Sequence, residues 1–277
     1  MFDRLSRSWS LVKASASVLR SDKELLLFPV ISGIATLLVA ATFLLPLFGL
    51  GLLDGRGPGP GLYLLGFLFY LCQYFVIFFF NTALVGAAMI RLEGGDPTVA
   101  DGLRIARERI GAILGYAAIA ATVGLILRAL EERAGFLGRI VVGIIGLAWT
   151  LTSFLVVPVL VSRKVGPIEA LKESVGLLKR SWGENLAGNV GIGLAFGLIT
   201  AVVAIVGIAL VIASARIGGA PLAIPVIAIA VLAVAFIGVL QAALTGVYSA
   251  ALYRYAVDGH APAGFDEGAL QAAFVRK

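Results

Sequence analysis

Residues 28–53 read Phe28-Pro-Val-Ile-Ser-Gly-Ile-Ala-Thr-Leu-Leu-Val-Ala-Ala-Thr-Phe-Leu-Leu-Pro-Leu-Phe-Gly-Leu-Gly-Leu-Leu53, without one ionisable side chain. A bilayer core is ~30 Å thick and a helix rises ~1.5 Å per residue, so about 20 residues cross it. This run is long enough to span. Five similar runs follow at 62–90, 110–127, 137–161, 186–213 and 222–252. In order they make three hairpins, each entered from a basic amphipathic stretch. The expected fold class is all-α: a polytopic integral membrane protein with six transmembrane helices, arranged as three hairpins, and amphipathic interfacial helices on the cytoplasmic face. The third run is only just long enough, while the sixth is too long and should tilt, kink or protrude. Pro221 and Pro225 suit its first turn, where a missing amide proton costs little.

Composition agrees. Hydrophobic residues make up 60% of the 277 and charged residues 14%, against roughly a quarter charged in a soluble domain. A single membrane domain is expected over 1–277. Its parts are an amphipathic N-terminal helix (1–24), hairpin 1 (25–96), an amphipathic connector (97–109), hairpin 2 (110–162), a second connector (163–184), hairpin 3 (185–257) and a tail (258–277). The first run begins too late and runs too long for a cleaved signal peptide, so it reads as a retained signal anchor. The net charge of +6 follows from basic residues that flank spans and points to no nucleic-acid partner. Cys72, the one cysteine, lies within a run and allows no intramolecular disulfide framework.

Orientation follows from the connectors. Seventeen Lys and Arg fall in the N-terminal segment, the second and fourth connectors and the C-terminal segment, against five in the alternate loops. The positive-inside rule then puts both termini in the cytoplasm. Little remains outside: Asp54-Gly-Arg-Gly-Pro-Gly-Pro60, a loop at 128–139 with Glu131 and Glu132, and the small-residue stretch 214–220. Any polar partner is expected at the inner face.

In the N-terminal segment Phe2, Leu5, Trp9, Val12, Ala16 and Leu19 alternate by three and four, the spacing of one helical face. Ile168, Leu171, Val175, Leu178 and Trp182 repeat that spacing, and Val99, Leu103, Ala106 and Ile110 give a weaker copy. Asp96-Pro97 and Gly166-Pro167 put proline at a first helical position, with Asp96 as the expected cap. Ser21-Asp-Lys-Glu24 resembles a capping box ahead of the first span. These helices could bind lipid, with Arg4, Arg7, Trp9, Lys13, Lys179, Arg180 and Trp182 at the headgroups. The commoner outcome is a structural elbow packed on the bundle end. A repeat of helix, span, span running the same way each time suggests three units related about the membrane normal.

Within the spans, small residues recur at Gly193, Gly197 and Ala201, and at Ala242, Gly246 and Ala250. Such stripes let helices approach within one bundle, with a homo-oligomer as the alternative. Gln73, Asn81 and Gln241 are the candidates for an intramembrane polar patch; amides of this kind more often hydrogen-bond a neighbouring helix. No ionisable group sits near the middle of a span, which argues against a proton-coupled carrier. There is no P-loop and no Rossmann glycine signature. His260 has no ligand cluster around it. No catalytic residue, no metal and no cofactor is therefore expected. An intramembrane enzyme would need carboxylates such as Glu169 and Glu173 gathered around a cleft.

Arg7-Ser-Trp9 and Leu19-Arg-Ser-Asp-Lys-Glu-Leu-Leu-Leu-Phe-Pro29 resemble the opening of an uncharacterised family of predicted six-span prokaryotic membrane proteins. Phe79-Phe-Asn81-Thr-Ala83, Val156-Val-Pro158, Gly166-Pro167 and Ser181-Trp182-Gly183 are similar to that family too. The resemblance implies six spans in a prokaryotic cytoplasmic membrane and carries over no site residue, because the family has no known function. The expected role is non-enzymatic: a lipid-interacting scaffold or assembly factor, with membrane lipids as partners and other protein partners unknown. A passive channel or permease for a small or hydrophobic solute is the alternative, and an intramembrane lipid-modifying enzyme the third.

Overall fold

The computed structural model describes residues 2–49, 60–180, 185–262 and 265. Among these residues the chain is all-α, with no strand. Its elements are α1 (Phe2–Ser21), a 3-10 turn (Lys23–Leu26), α2 (Leu27–Gly49), α3 (Pro60–Leu92), α4 (Val99–Glu108), α5 (Ile110–Arg133), α6 (Phe136–Ser153), α7 (Val156–Ser162), α8 (Pro167–Arg180) and α9 (Asn185–Asp258). Five helical stretches are long and apolar enough to cross a membrane: Lys23–Leu47, Gly61–Leu92, Ile110–Arg133, Phe136–Ser162 and Phe196–Asp258.

The fifth stretch joins the last two apolar runs. Only Gly219 interrupts it, with φ 63° and ψ −155°, a conformation that glycine adopts at no steric cost. The chain reverses there: the Cβ of Ala230 lies 3.1 Å from where a Cβ on Gly207 would sit. An unbroken helix would hold those residues about 35 Å apart. The expected loop at 214–220 is thus a single non-helical residue. The loop expected at 128–139 is also shorter, because α5 carries its charges outward as helix. Arg128 Nε meets Glu132 Oε1 at 3.0 Å one turn on, and only Ala134 and Gly135 separate α5 from α6.

The run at 137–161 is two helices rather than one. Helix α6 stops at Ser153 and α7 restarts at Val156. Pro158 explains the break, since its ring clashes with the carbonyl four residues back and it has no amide to offer Phe154. Helix α4 departs from its expected start. Its cap is Thr98, whose hydroxyl accepts from the Asp101 amide at 3.3 Å while Asp101 Oδ2 accepts from the Thr98 amide at 3.1 Å. Asp96, expected as the cap, projects into solvent and meets Arg91 at 3.7 Å.

The hydrogen bonds from Thr98, followed by Arg104, hold the Asp101 carboxyl down from 3.8 to about 2. Because the folded value is depressed, the carboxylate's contribution is complete above 3.8 and is lost as pH falls through about 2. Carboxyl carbon NMR is expected to show Asp101 titrating near 2, and Thr98→Ala to move it back toward 3.8. An unchanged titration in Thr98→Ala would refute the capping account.

The packed core lies at one end of the bundle. Residues 82–89 of α3 are buried on every side, because α4, α5, α7 and α9 all touch α3. Leu25, Phe28, Leu84, Tyr116, Leu155, Leu160, Tyr248 and Leu252 are the large fully buried side chains there. Helix α1 packs on α9, and its Val18 and Leu19 are buried. Helix α8 packs on α5, α6 and α7. Away from this end the long helices expose apolar surface: Leu37 is 72% exposed, Leu137 76% and Ile217 83%. Such a surface is unstable in water and at rest in hydrocarbon.

Candidate functional site

Asn81 and Gln241 come together. They line one groove of about 330 Å³ with Pro29 and Ser32 from α2, Ile77, Phe80 and Leu84 from α3, and Gly238, Ala242 and Thr245 from α9. None of these residues carries a charge. Four are polar, and among the described residues none of the four side chains hydrogen-bonds to the protein.

That is unusual for this chain. The hydroxyls of Thr36, Thr42, Thr82, Thr122, Thr150, Thr152, Ser153 and Ser249 each close on a carbonyl three or four residues back. Ser32 and Thr245 do not, and outside the groove neither does Thr200. Polar groups in an apolar medium are costly unless paired, so the groove's side chains present unused hydrogen-bonding capacity to it.

Gln73 lies elsewhere. Its Nε2 donates to the Thr36 carbonyl at 3.1 Å, which ties α3 to α2, and its Oε1 is buried without a partner. It is thus not part of the groove formed around Asn81 and Gln241. Ser32 was not singled out in the sequence. Hydroxyls are frequent in spans, and the primary structure does not reveal which one fails to close on its own helix.

A second cavity, of about 320 Å³, lies on the other side of Asn81 and Thr245. Its wall is aromatic: Tyr74, Phe78, Tyr116, Trp149 and Phe154. Tyr74 and Phe78 stack at 5.7 Å and Phe78 meets Tyr116 at 4.5 Å. The hydroxyls of Thr150, Ser153 and Ser249 line it too, but each is committed to its own helix.

Apart from Arg128–Glu132, the ion pairs among the described residues gather at the end of the bundle where α1, α4 and α8 lie. Glu24 Oε2 accepts from the Val99 amide at 3.0 Å, so a residue ahead of α2 caps α4. Arg254 pairs with Glu93 at 2.6 Å and with Asp258 at 3.0 Å. Arg163 pairs with Glu173 at 3.0 Å, and its hydrogen bond to Tyr253 raises its already high pKa. Burial raises the pKa of Asp22, where the chain passes from α1 to α2. Glu169 accepts from the Gly166 amide at 3.2 Å and starts its own helix. Among the described residues Glu169 and Glu173 therefore serve separate contacts.

Of the residues expected at a lipid headgroup, Lys13 and Lys179 are exposed. The side chains of Arg4, Arg7, Trp9 and Arg180 lie outside the described residues, as does Trp182 entirely. Ser15, on the packed side of α1, is fully buried with its hydroxyl unpartnered.

No curated protein and no solved structure matches the chain. A family model described as a family of unknown function, DUF6159, matches residues 61–265, which include α3, the Asn81 side of the groove and Gln241. The chain belongs to that family.

Proposed function

We propose that this is a non-enzymatic, lipid-interacting protein of a prokaryotic cytoplasmic membrane, acting as a scaffold or assembly factor, with six spans and both termini in the cytoplasm. The reversal at Gly219 supports the sixth span, since it divides the last stretch into two helices that each exceed about 20 residues. On this reading α1, α4 and α8 are interfacial helices on the cytoplasmic face. Cysteines at Lys13 and Arg216, in a Cys72→Ala background, should then label from opposite sides.

The observation that carries the lipid role is the groove itself. Asn81 lies about 30 Å along α3 from Pro60, and Gln241 lies about 30 Å along α9 from Gly219. Those helix ends mark the outer boundary, so both amides sit where the inner acyl chains meet the headgroups. Lipids carry their ester and hydroxyl groups at that depth. Protein ejected from lipid nanodiscs into a mass spectrometer is expected to retain lipid at a fixed ratio. Bare protein from the discs would count against the reading.

The second cavity favours a second reading, a passive path for a hydrophobic solute across the Asn81–Thr245 wall. Solute flux in liposomes above that of empty vesicles would support it.

A further inference from the structure

We propose that the groove between α2, α3 and α9 binds a neutral amphiphile bearing both a hydroxyl and ester groups, the chemistry of a diacylglycerol, and not an anionic phospholipid headgroup. This rests on the lipid-handling reading above and narrows it to one ligand class.

The hydrogen-bonding side chains come from three helices and meet in one space. Ser32 enters from α2, Asn81 from α3, and Gln241 and Thr245 from α9. Each amide offers two donors and an acceptor, and each hydroxyl one donor and two acceptor lone pairs. A head that carries a hydroxyl beside its esters satisfies such a mixed set, whereas a ligand with acceptors alone, such as an ester without a hydroxyl, leaves the amide oxygens unused. The remaining walls, Pro29, Ile77, Phe80, Leu84, Gly238 and Ala242, are apolar. Ile77 at the rim is 42% exposed, which leaves a side passage for acyl chains into the bilayer. The volume of about 330 Å³ suits a small polar group with its chains outside.

Charge decides the class. No lining residue is cationic. Arg91 stands about 15 Å along α3 from Asn81, and it is held by the Gly95 carbonyl at 3.2 Å and by Asp96. Arg254 stands about 20 Å along α9 from Gln241 and is held by Glu93 and Asp258. A phosphate in the groove would lose its water with no counter-charge at hand, which is costly for an ion. A neutral head avoids that penalty.

The aromatic cavity beyond Asn81 and Thr245 sharpens the polarity. That cavity reaches neither Ser32 nor Gln241, and its Thr150, Ser153 and Ser249 hydroxyls are bonded to their own helices.

The test uses the full chain in nanodiscs of phosphatidylethanolamine and phosphatidylglycerol, doped with either dioleoylglycerol or phosphatidic acid. Native mass spectrometry reads what each chain retains. One dioleoylglycerol per chain is expected, and Gln241→Leu and Asn81→Leu should each lower the retained fraction on the order of five- to tenfold. Thr122→Val should leave it unchanged, since that hydroxyl is bonded to Ala118 and lies outside the groove. Ser32→Ala is the mildest groove variant and guards against misfolding of the Leu variants; it should lower retention with the thermal midpoint preserved.

Retention of phosphatidic acid or phosphatidylglycerol in place of dioleoylglycerol, lost in the same variants, would overturn the neutral class and leave the lipid role standing. Displacement of the adduct by glycerol in the buffer would assign the groove to a soluble polyol and overturn the proposal. Lipid retained equally by all groove variants would remove the site. No retained lipid would remove both readings.

Discussion

Gly102→Leu is expected to leave no stably folded protein, and Gly102→Ala to cost a measurable share of the stability. Gly102 sits in α4 at its crossing with α3 and is fully enclosed. A Cβ there would stand 2.5 Å from Cζ of Phe28 and 2.6 Å from the carbonyl oxygen of Ala83. A ring can turn aside, but a backbone oxygen inside a helix cannot, so α4 has to lift from α3. Overpacking of one methyl group costs about 1–3 kcal/mol, and a clash with backbone sets Gly102→Ala toward the upper end. Leucine adds three more carbons in the same direction. Phe28 is 1% exposed and Ala83 is fully buried, so the displaced surface is the packed centre of the bundle. Size-exclusion chromatography after graded heating in detergent measures the loss. An unchanged midpoint in Gly102→Ala would mean that α4 is not docked in this way.

The position of Gly102 illustrates which features were legible in the sequence. The apolar runs mark the long helices because hydrocarbon tolerates little else over about 20 residues. The three-and-four spacing at Val99, Leu103 and Ala106 marks α4 as amphipathic, and the structure buries Ala106 completely. That Gly102 lies against Ala83 is a tertiary fact, since no local signal pairs residues on different helices. Thr98 and Asp96 are a different case: both types cap helices well, and the local spacing of Asp101 three residues after Thr98 closes the box and decides between them. The acids and bases at 128–133 read as loop by composition, yet pairs one turn apart keep α5 helical.

The candidate site was legible in part. Asn81 and Gln241 stand out because amides are rare in such runs. Gln73 stands out equally, and only the fold reveals that it spends its amide on Thr36. Ser32 became visible only through a hydrogen bond that it does not make.

Ser174→Ala is expected to destabilise the protein by about 2–4 kcal/mol, a large effect for the loss of one oxygen atom. Ser174 sits on α8, fully buried. Its hydroxyl donates to the Thr152 carbonyl at 2.6 Å and accepts from the Leu155 amide at 3.2 Å. Those two backbone groups flank the break that Pro158 forces between α6 and α7, so one side chain repairs both edges of the gap. Alanine leaves a part-buried carbonyl and a buried amide without that partner, and each such group costs about 1–3 kcal/mol when fully buried. Volume is nearly unchanged, which separates the effect from a cavity. Ser174→Cys keeps the shape with a weaker donor and should fall between wild type and Ser174→Ala.

The measurement bears on what α8 is for. A basic amphipathic helix held only by headgroups would tolerate Ser174→Ala and respond to loss of exposed charge at Lys179 instead. A helix that serves as an elbow shows the reverse: Lys179→Ala stays close to wild type, because exposed charges contribute little, while Ser174→Ala lowers the midpoint in every detergent and lipid. A midpoint indifferent to Ser174→Ala would leave the break between α6 and α7 without its repair, and the elbow account of α8 would fall with it.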